Sequence, residues 1–443
     1  MIKNKLVFFQ IILMTALGVL AQSVQAQDST ALLQLNDLIT QATSNNKNIQ
    51  LAKIDEQIAA ANYKQTQAVF LPQVGFSYSA FTSNNPLNAF GFKLQQKDIA
   101  QSDFDPALLN HPASTPDFMT QLNVQVPIIN MDMLYMRKAA LKQTEIYGYK
   151  TQRTREQIIY QAKQAYLQLQ LAYDAQKVLQ EALQTTKAIH KFTNDRFQQG
   201  LLQRSDLLNV EVQIKTIETN IADTKSAIRN ASDYLSLLMN KPATVIYTIE
   251  VPAATVLSDF PADTLSANRS DFKAMEKSIE SYDLMIKSSK KSYLPKLNAF
   301  ANYQLHDNSM AGFGAGAYMA GIQLSWDIFK GNSIKNKIAT QRLERNKLAE
   351  QLNNQKEESR LDLSKTYRRF TDAVFSIQQQ EVSVDHATEV LRILQNRYQQ
   401  GLANTTDVLL AQTQLSQQKL AYTQAVFNKN ISVAYLEFLT SAN

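Results

Sequence analysis

The chain has 443 residues, with 44% hydrophobic and 19% charged residues, only 11 Gly and 10 Pro, no Cys and a formal charge of +6. So few turn-formers exclude a collagen-like, disordered or compact all-β chain and favour long helices, while the lack of Cys excludes disulfides, thiolate metal sites, cysteine nucleophiles and a lipid carried on an N-terminal cysteine. The charge is mild and no basic run offers a footprint for nucleic acid.

The first element reads as an export signal. Lys3 and Lys5 precede an apolar run from Leu6 to Leu20, and Val24-Gln25-Ala26 has small-residue cleavage spacing, so residues 1–26 form a predicted signal peptide cleaved after Ala26. The run is about 15 residues, short of the roughly 20 that a spanning helix needs. After it no uncharged apolar stretch approaches that length, so membrane residence would require strands.

The rest is one unit used twice. Arg196-Phe197-Gln198-Gln199-Gly200-Leu201, followed by Asp206-Leu207-Leu208, recurs 201 residues later as Arg397-Tyr398-Gln399-Gln400-Gly401-Leu402, followed by Asp407-Val408-Leu409. Leu122 to Ile128 matches Ile322 to Ile328, and Leu71-Pro72 matches Leu294-Pro295. The shrinking offset places 23 extra residues in the first copy, in the polar segment around Asn84 to Pro116. The predicted organisation is repeat 1 over 27–240, a linker over 241–267 and repeat 2 over 268–443.

Each copy is predicted to hold a medium helix, two strands and two long helices. In chain order the helices are Ser44 to Phe70, Asp132 to Gln199 and Ser205 to Leu238, then Asp271 to Ser292, Ser333 to Gln400 and Thr405 to Thr440. A helix of about 68 residues is roughly 100 Å long, which a domain of this size cannot bury. Ala162, Tyr166, Leu169, Tyr173 and Gln176 step by 4, 3, 4, 3, and Leu363, Tyr367, Phe370, Val374 and Ile377 do the same, the narrow apolar seam of a coiled coil.

The strands alternate. Val74, Phe76, Tyr78 and Ala80 oppose Gly75, Ser77 and Ser79; Leu122, Val124, Val126 and Ile128 oppose Asn123, Gln125 and Pro127. In the second copy Leu297, Ala299, Ala301, Tyr303 and Leu305 oppose Asn298, Phe300, Asn302 and Gln304, and Tyr318 to Ile328 alternates likewise. One greasy face and one polar face is the pattern of an outer-membrane barrel, and of a half-buried soluble sheet. Four strands cannot close a barrel when the smallest natural ones have about eight, so in a membrane several chains must share one.

No catalytic constellation is present. His111, His190, His306 and His386 are dispersed, with His111 and His306 in or near strand-to-strand loops, and no HExxH or Walker loop occurs. Gly312-Phe313-Gly314-Ala315-Gly316 joins two amphipathic strands and reads as a hairpin tip. Glu357-Glu358, Arg368-Arg369 and Lys290-Lys291 read as solvated helix faces. The chain is read as a non-enzyme without cofactor or metal.

The tandem repeat, the two Gln-Gly-Leu turns each with an Asp six residues on, the Leu-Pro pairs at Pro72 and Pro295 and the leader together resemble the TolC-like outer-membrane efflux proteins, over essentially the whole mature chain. That resemblance implies a mainly α protein with a membrane β-barrel: a homotrimer with a shared twelve-stranded barrel in outer-membrane lipid, a coiled-coil helical barrel in the periplasm, and an equatorial region including Lys241 to Asp263, with strand-like Val245 to Val251. It implies a passive exit duct of a tripartite efflux pump or type I secretion system, served by an inner-membrane pump and opened by a periplasmic adaptor at the tips, here Gln199, Gly200, Leu201, Gln400, Gly401 and Leu402. It implies a gate of Asp206 with Tyr398 and an acidic ring of Asp407. The family's best-known pattern has a basic residue and a second Asp where this chain has Ala403 and Leu410, which leaves one acidic ring. The competing reading of Asp206 and Asp407 is N-capping, by them or by the preceding Ser205 and Thr405. The alternative function is a periplasmic coiled-coil adaptor or structural protein.

Overall fold

The computed structural model describes residues 29–249 and 264–441; the signal peptide, and residues 250–263 of the linker, lie outside the described residues. The elements are β1 (Ser29–Leu33), α1 (Leu35–Asn45), α2 (Lys47–Gln65), β2 (Gln73–Ser83), α3 (Pro86–Gln96), α4 (Pro106–Asn110), β3 (Thr115–Ile129), α5 (Met131–Gln198), α6 (Arg204–Leu238), β4 (Val245–Ile249), α7 (Ser270–Lys291), β5 (Lys296–Asp307), β6 (Ala315–Ser325), α8 (Ser333–Gln399) and α9 (Thr405–Thr440). The described residues fall into two compact units, each drawing on both sequence repeats: 29–50, 154–249, 264–265 and 360–441 in one, and 51–153 and 266–359 in the other. No described helix is long and apolar enough to cross a membrane.

The first unit is built on packed helices and a small parallel pair, β1 with β4. Its core gathers Leu38 and Ala42 of α1, Ile158, Ala162, Tyr166 and Leu169 of α5, and Ile228 and Leu235 of α6. The expected α5 seam is therefore the buried one. Polar groups fix the β pair to the helices: the Tyr173 hydroxyl donates to the Tyr247 carbonyl at 2.8 Å, and the Tyr247 N–H donates to Ser232 Oγ at 3.1 Å. The seam expected on α8 holds in part: Leu363 is buried and Phe370 packs against its cluster, but Thr366 and Ala373 take the buried places expected of Tyr367 and Val374. Tyr367 itself is 39% exposed.

The single helix expected from Ser44 to Phe70 starts at Leu35, breaks at Asn46 and ends in a 3-10 turn over Thr66–Phe70. Asn46 is buried; its Nδ2 donates to the Leu238 carbonyl at 3.0 Å and its Oδ1 accepts the Asn48 N–H at 2.9 Å. A side chain spent on a distant carbonyl and a local cap terminates α1 and starts α2 at once.

The second unit carries one antiparallel sheet in the order β2-β3-β5-β6, with β2 and β6 as edges. Register puts Phe76, Leu122, Tyr303 and Tyr318 in one row and Val74, Val124, Ala301 and Ala320 in the next. This apolar face is open, Phe76 being 71% and Tyr318 84% exposed. The opposite face aligns Gln121 with Gln304 and Asn123 with Asn302. Phe300 also sits on it, its ring 3.2 Å from where a Cβ on its neighbour Gly321 would be, so a side chain there would press on the ring. Pro127 stands at a register shift of β3, beyond the end of its pairing with β2, so its missing N–H breaks no central ladder.

The glycine-rich run is the β5–β6 connection, as expected. Asp307 accepts N–H bonds from Ser309 (2.9 Å) and Gly314 (3.0 Å), and its carboxylate fills the space a Cβ on Gly312 would need. His306 is not in that loop. It lies in β5, 3% exposed, with Nδ1 2.9 Å from Asp117 Oδ2. The polar segment from Asn84 to Pro116 contains α3 and α4.

At the foot of the sheet α7 packs closely on α5 through small residues. Ser281 Oγ donates to the Ala139 carbonyl (3.2 Å) and Ser288 Oγ to that of Asp132 (2.7 Å). Asp271 near the start of α7 is partly desolvated, which raises its pKa, but the Arg269 hydrogen bonds and the charge of Arg153 outweigh this and hold it below the ordinary value. Leu235→Ala, at a fully buried side chain of the first unit, is expected to cost about 2–5 kcal/mol, read from denaturant unfolding of the detergent-solubilised protein; a loss well under that range would show that α6 is not part of the core.

Candidate functional site

The ends of the two long hairpins lie together in the first unit. Ile189 of α5, Val210 of α6, Leu391 of α8, and Val408, Ala411 and Leu415 of α9 form one buried cluster. Above it both glycine turns close by the same circuit. Gly200 N–H donates to Phe197 O and Leu201 N–H to Arg196 O, both at 2.9 Å; Gly401 donates to Tyr398 O at 3.0 Å and Leu402 to Arg397 O at 2.8 Å. This is the Schellman pattern, and it needs a left-handed residue. Gly200 and Gly401 have φ of +75° and +79°, where a Cβ costs about 1 kcal/mol or more. Gln199 and Gln400 are exposed beside them, and Leu201 and Leu402 project from the turns, 65% and 64% exposed.

Asp206 and Asp407 are third residues of their helices, not caps. Asp206 Oδ2 accepts the N–H of Gln203 at 3.1 Å. Asp407 Oδ2 accepts that of Asn404 at 3.4 Å, while Asn404 Oδ1 accepts the Asp407 N–H at 2.8 Å, a reciprocal capping box. The residues at the cap are Gln203 and Asn404, so Ser205 and Thr405 do not cap either. Each carboxylate sits where the helix dipole favours negative charge and stays partly exposed.

Tyr398 is buried, and within the chain its hydroxyl is bonded to two threonines and not to Asp206. It lies 2.8 Å from Thr193 Oγ1 and 2.9 Å from Thr405 Oγ1. Since the Thr193 hydroxyl donates to the Ile189 carbonyl at 2.8 Å, the phenol donates to Thr193 and accepts from Thr405. Three buried hydroxyls thus tie α5, α8 and α9. Beside them the Arg196 guanidinium lies 4.7 Å from the Phe192 ring centre and donates from Nη2 to the Gln399 carbonyl at 2.9 Å, satisfying one of the last carbonyls of α8.

Thr193 and Arg196 were not legible as site residues, and Thr405 only as a cap. A signal existed: the first copy has Phe197 where the second has Tyr398, so only the second copy has a hydroxyl to place. Among the described residues no group of His, Asp and Glu could hold a metal ion. Tyr398→Phe leaves the Thr405 hydroxyl without its buried partner and is expected to cost about 1–2 kcal/mol, with faster amide exchange confined to residues flanking the two turns; exchange unchanged there would show that the hydroxyl chain holds nothing.

Comparison with known proteins bears on this architecture. A sequence model of the outer membrane efflux protein family matches residues 38–241 and 262–441. The cation efflux system protein CusC of Escherichia coli K12 is 23% identical over 207 residues, covering 46% of this chain and 40% of CusC, so the match spans less than half of that relative. Solved structures are similar over nearly the whole chain: a CusC structure (TM-score 0.76, 16% identity, 96% of each chain), a membrane protein from Pseudomonas aeruginosa (0.80, 15%, 92% of this chain and 90% of that one) and the CmeC outer membrane channel of Campylobacter jejuni (0.76, 18%, 92% and 85%). At these identities the likeness is one of fold.

Proposed function

The chain belongs to the outer membrane efflux protein family, and on that premise we propose that it is a passive exit duct: three copies share a twelve-stranded barrel in the outer membrane, and their long helices continue it into the periplasm. The carrying observation is the four-stranded sheet with one continuous apolar face, one polar face and two unpaired edges. An open edge facing lipid leaves backbone N–H and C=O groups unsatisfied at several kcal/mol each, whereas three sheets joined edge to edge leave none. The apolar face then meets lipid and the Gln and Asn rows line water. No step needs a nucleotide or covalent chemistry from this chain. The tandem repeat, residues 27–240 and 268–443 about the 241–267 linker, supplies the two hairpins per copy.

The gate belongs at the helix turns. Tyr398, with Thr193 and Thr405, latches the two hairpins of one copy; Asp206, partly exposed, faces neighbouring coils. Asp407 repeated three times about an axis concentrates negative charge and favours cations, in keeping with the similarity to CusC, a cation efflux system protein. The turns at Gln199-Gly200-Leu201 and Gln400-Gly401-Leu402 offer an exposed leucine each to a periplasmic adaptor, whose differential contacts with the open form would bias the gate and couple it to an inner-membrane pump.

The decisive measurement is the mass of the particle extracted by detergent from the outer-membrane fraction. A trimer is expected; a soluble monomer or dimer would return the sheet to an ordinary soluble role. Asp407→Asn is expected to reduce the cation preference of reconstituted channels severalfold, since the ring term scales with local charge; an unaltered reversal potential would remove the ring. Leu201→Glu with Leu402→Glu is expected to preserve the trimer and abolish crosslinking to the adaptor, and crosslinking at wild-type yield would move the docking surface elsewhere.

A further inference from the structure

The 23 residues by which the first copy exceeds the second do not form a loop standing away from the sheet. Two residues after β2 ends, Asn85 caps a helix, its Oδ1 accepting the N–H of Leu87 at 3.1 Å and Asn88 at 3.4 Å, and Pro86 starts α3. That helix packs on β2, β3, β5 and β6. The pairing register decides which face it covers. On β3 Asp117 shares the side of Gln121 and Asn123, on β5 His306 that of Gln304 and Asn302, and on β2 Phe81 that of Ser77 and Ser79. These are all positions of the polar face. Asp117, His306 and Ala315 at its end are only 1%, 3% and 3% exposed.

The contacts run along one stripe of α3. Phe92 stacks on Phe81 at 6.3 Å between ring centres. Gln96 Nε2 donates to the Pro116 carbonyl at 2.8 Å and to Asp117 Oδ1 at 3.0 Å, and Lys97 Nζ donates to the Gly316 carbonyl at 3.1 Å. Ala89 is 2% exposed. The residues Ala89, Phe92 and Gln96 follow the spacing of one helical face. From behind, Phe90 meets Phe104 edge-on at 5.7 Å and Lys93 pairs with Asp103 at 2.6 Å. The far stripe holds Leu87 and Leu94, two turns apart, 82% and 54% exposed.

We infer that α3 is a constriction at the outer mouth of the duct, in which Leu87 and Leu94 of three copies form an apolar collar that limits what leaves. This rests on the exit-duct reading, which makes the polar face the inner wall; a helix laid on that wall turns its far side to the axis. Apart from Phe300 and Met319, the remaining wall is mostly polar or small, with Gln121, Asn123, Asn302, Gln304 and Gln323 along it, so a ring of leucines is the place where the water column thins, and apolar constrictions restrict flow by dewetting.

The test uses the purified trimer in planar bilayers. Leu87→Ser with Leu94→Ser alters exposed side chains only, and is expected to raise single-channel conductance about twofold by wetting the collar. As a second arm, Leu94→Cys in this cysteine-free chain is treated from the loop side with a bulky thiol reagent, expected to block most of the current wherever the intrinsic resistance lies. Unchanged conductance in the serine variant together with no block of the cysteine variant overturns the collar while leaving the duct standing. A particle from the outer-membrane fraction that is not a trimer overturns duct and collar together.

Discussion

In hydrocarbon every backbone N–H and C=O needs a partner supplied by the protein, and four strands whose outer pair end in open edges cannot meet that demand from one chain. The sheet is otherwise well made for lipid. Its rows of Phe76, Leu122, Tyr303 and Tyr318 and of Val74, Val124, Ala301 and Ala320 lie on one side, with no charge among them. Closure by identical copies is the economical solution, because β6 of one copy can meet β2 of the next and the ladder then has no end.

The same incompleteness recurs along the helices. Within one chain α8 leaves Phe375 and Val382 about half exposed or more, a heptad apart, a spacing suited to a neighbouring coil. Elsewhere in the first unit several buried polar groups are satisfied at the junctions between elements. Asn46 serves α1, α2 and the end of α6; Ser232 and Tyr173 serve the β1–β4 pair; Thr193, Tyr398 and Thr405 serve the turns. Buried polar chains of this kind specify one register over its alternatives, since a slipped arrangement would strand several groups at a cost of about 1–3 kcal/mol each. The coiled coils need that specification, for an apolar stripe alone tolerates sliding.

Legibility varied with the distance over which a choice is made. The α5 seam of Ala162, Tyr166 and Leu169 was readable because its positions, stepping by 4 and 3, carry apolar residues that the fold buries together. On α8 Leu363 kept its expected place, but beside it two adjacent columns qualify, Tyr367 and Val374 next to Thr366 and Ala373, and sequence periodicity cannot rank them; the fold buried the smaller pair. The break at Asn46 has no Gly or Pro to announce it, because its cause is a carbonyl 192 residues away. His306 and Asp117 are likewise 189 residues apart and read as unrelated until the strand register joins them.

The sequence by itself determined the two-fold use of one unit, the order of helices and strands, the alternation that separates a greasy from a polar face, and the two glycine turns with their trailing aspartates. All are local or periodic properties, set by side-chain pattern and by the left-handed backbone that Gly200 and Gly401 adopt. Only the tertiary structure decided that Tyr398 bonds to threonines of two other helices and that the inserted α3 folds back over the polar face of its own sheet. Those outcomes depend on which groups become neighbours after packing, and a hydrogen bond across 200 residues leaves no period in the chain to read.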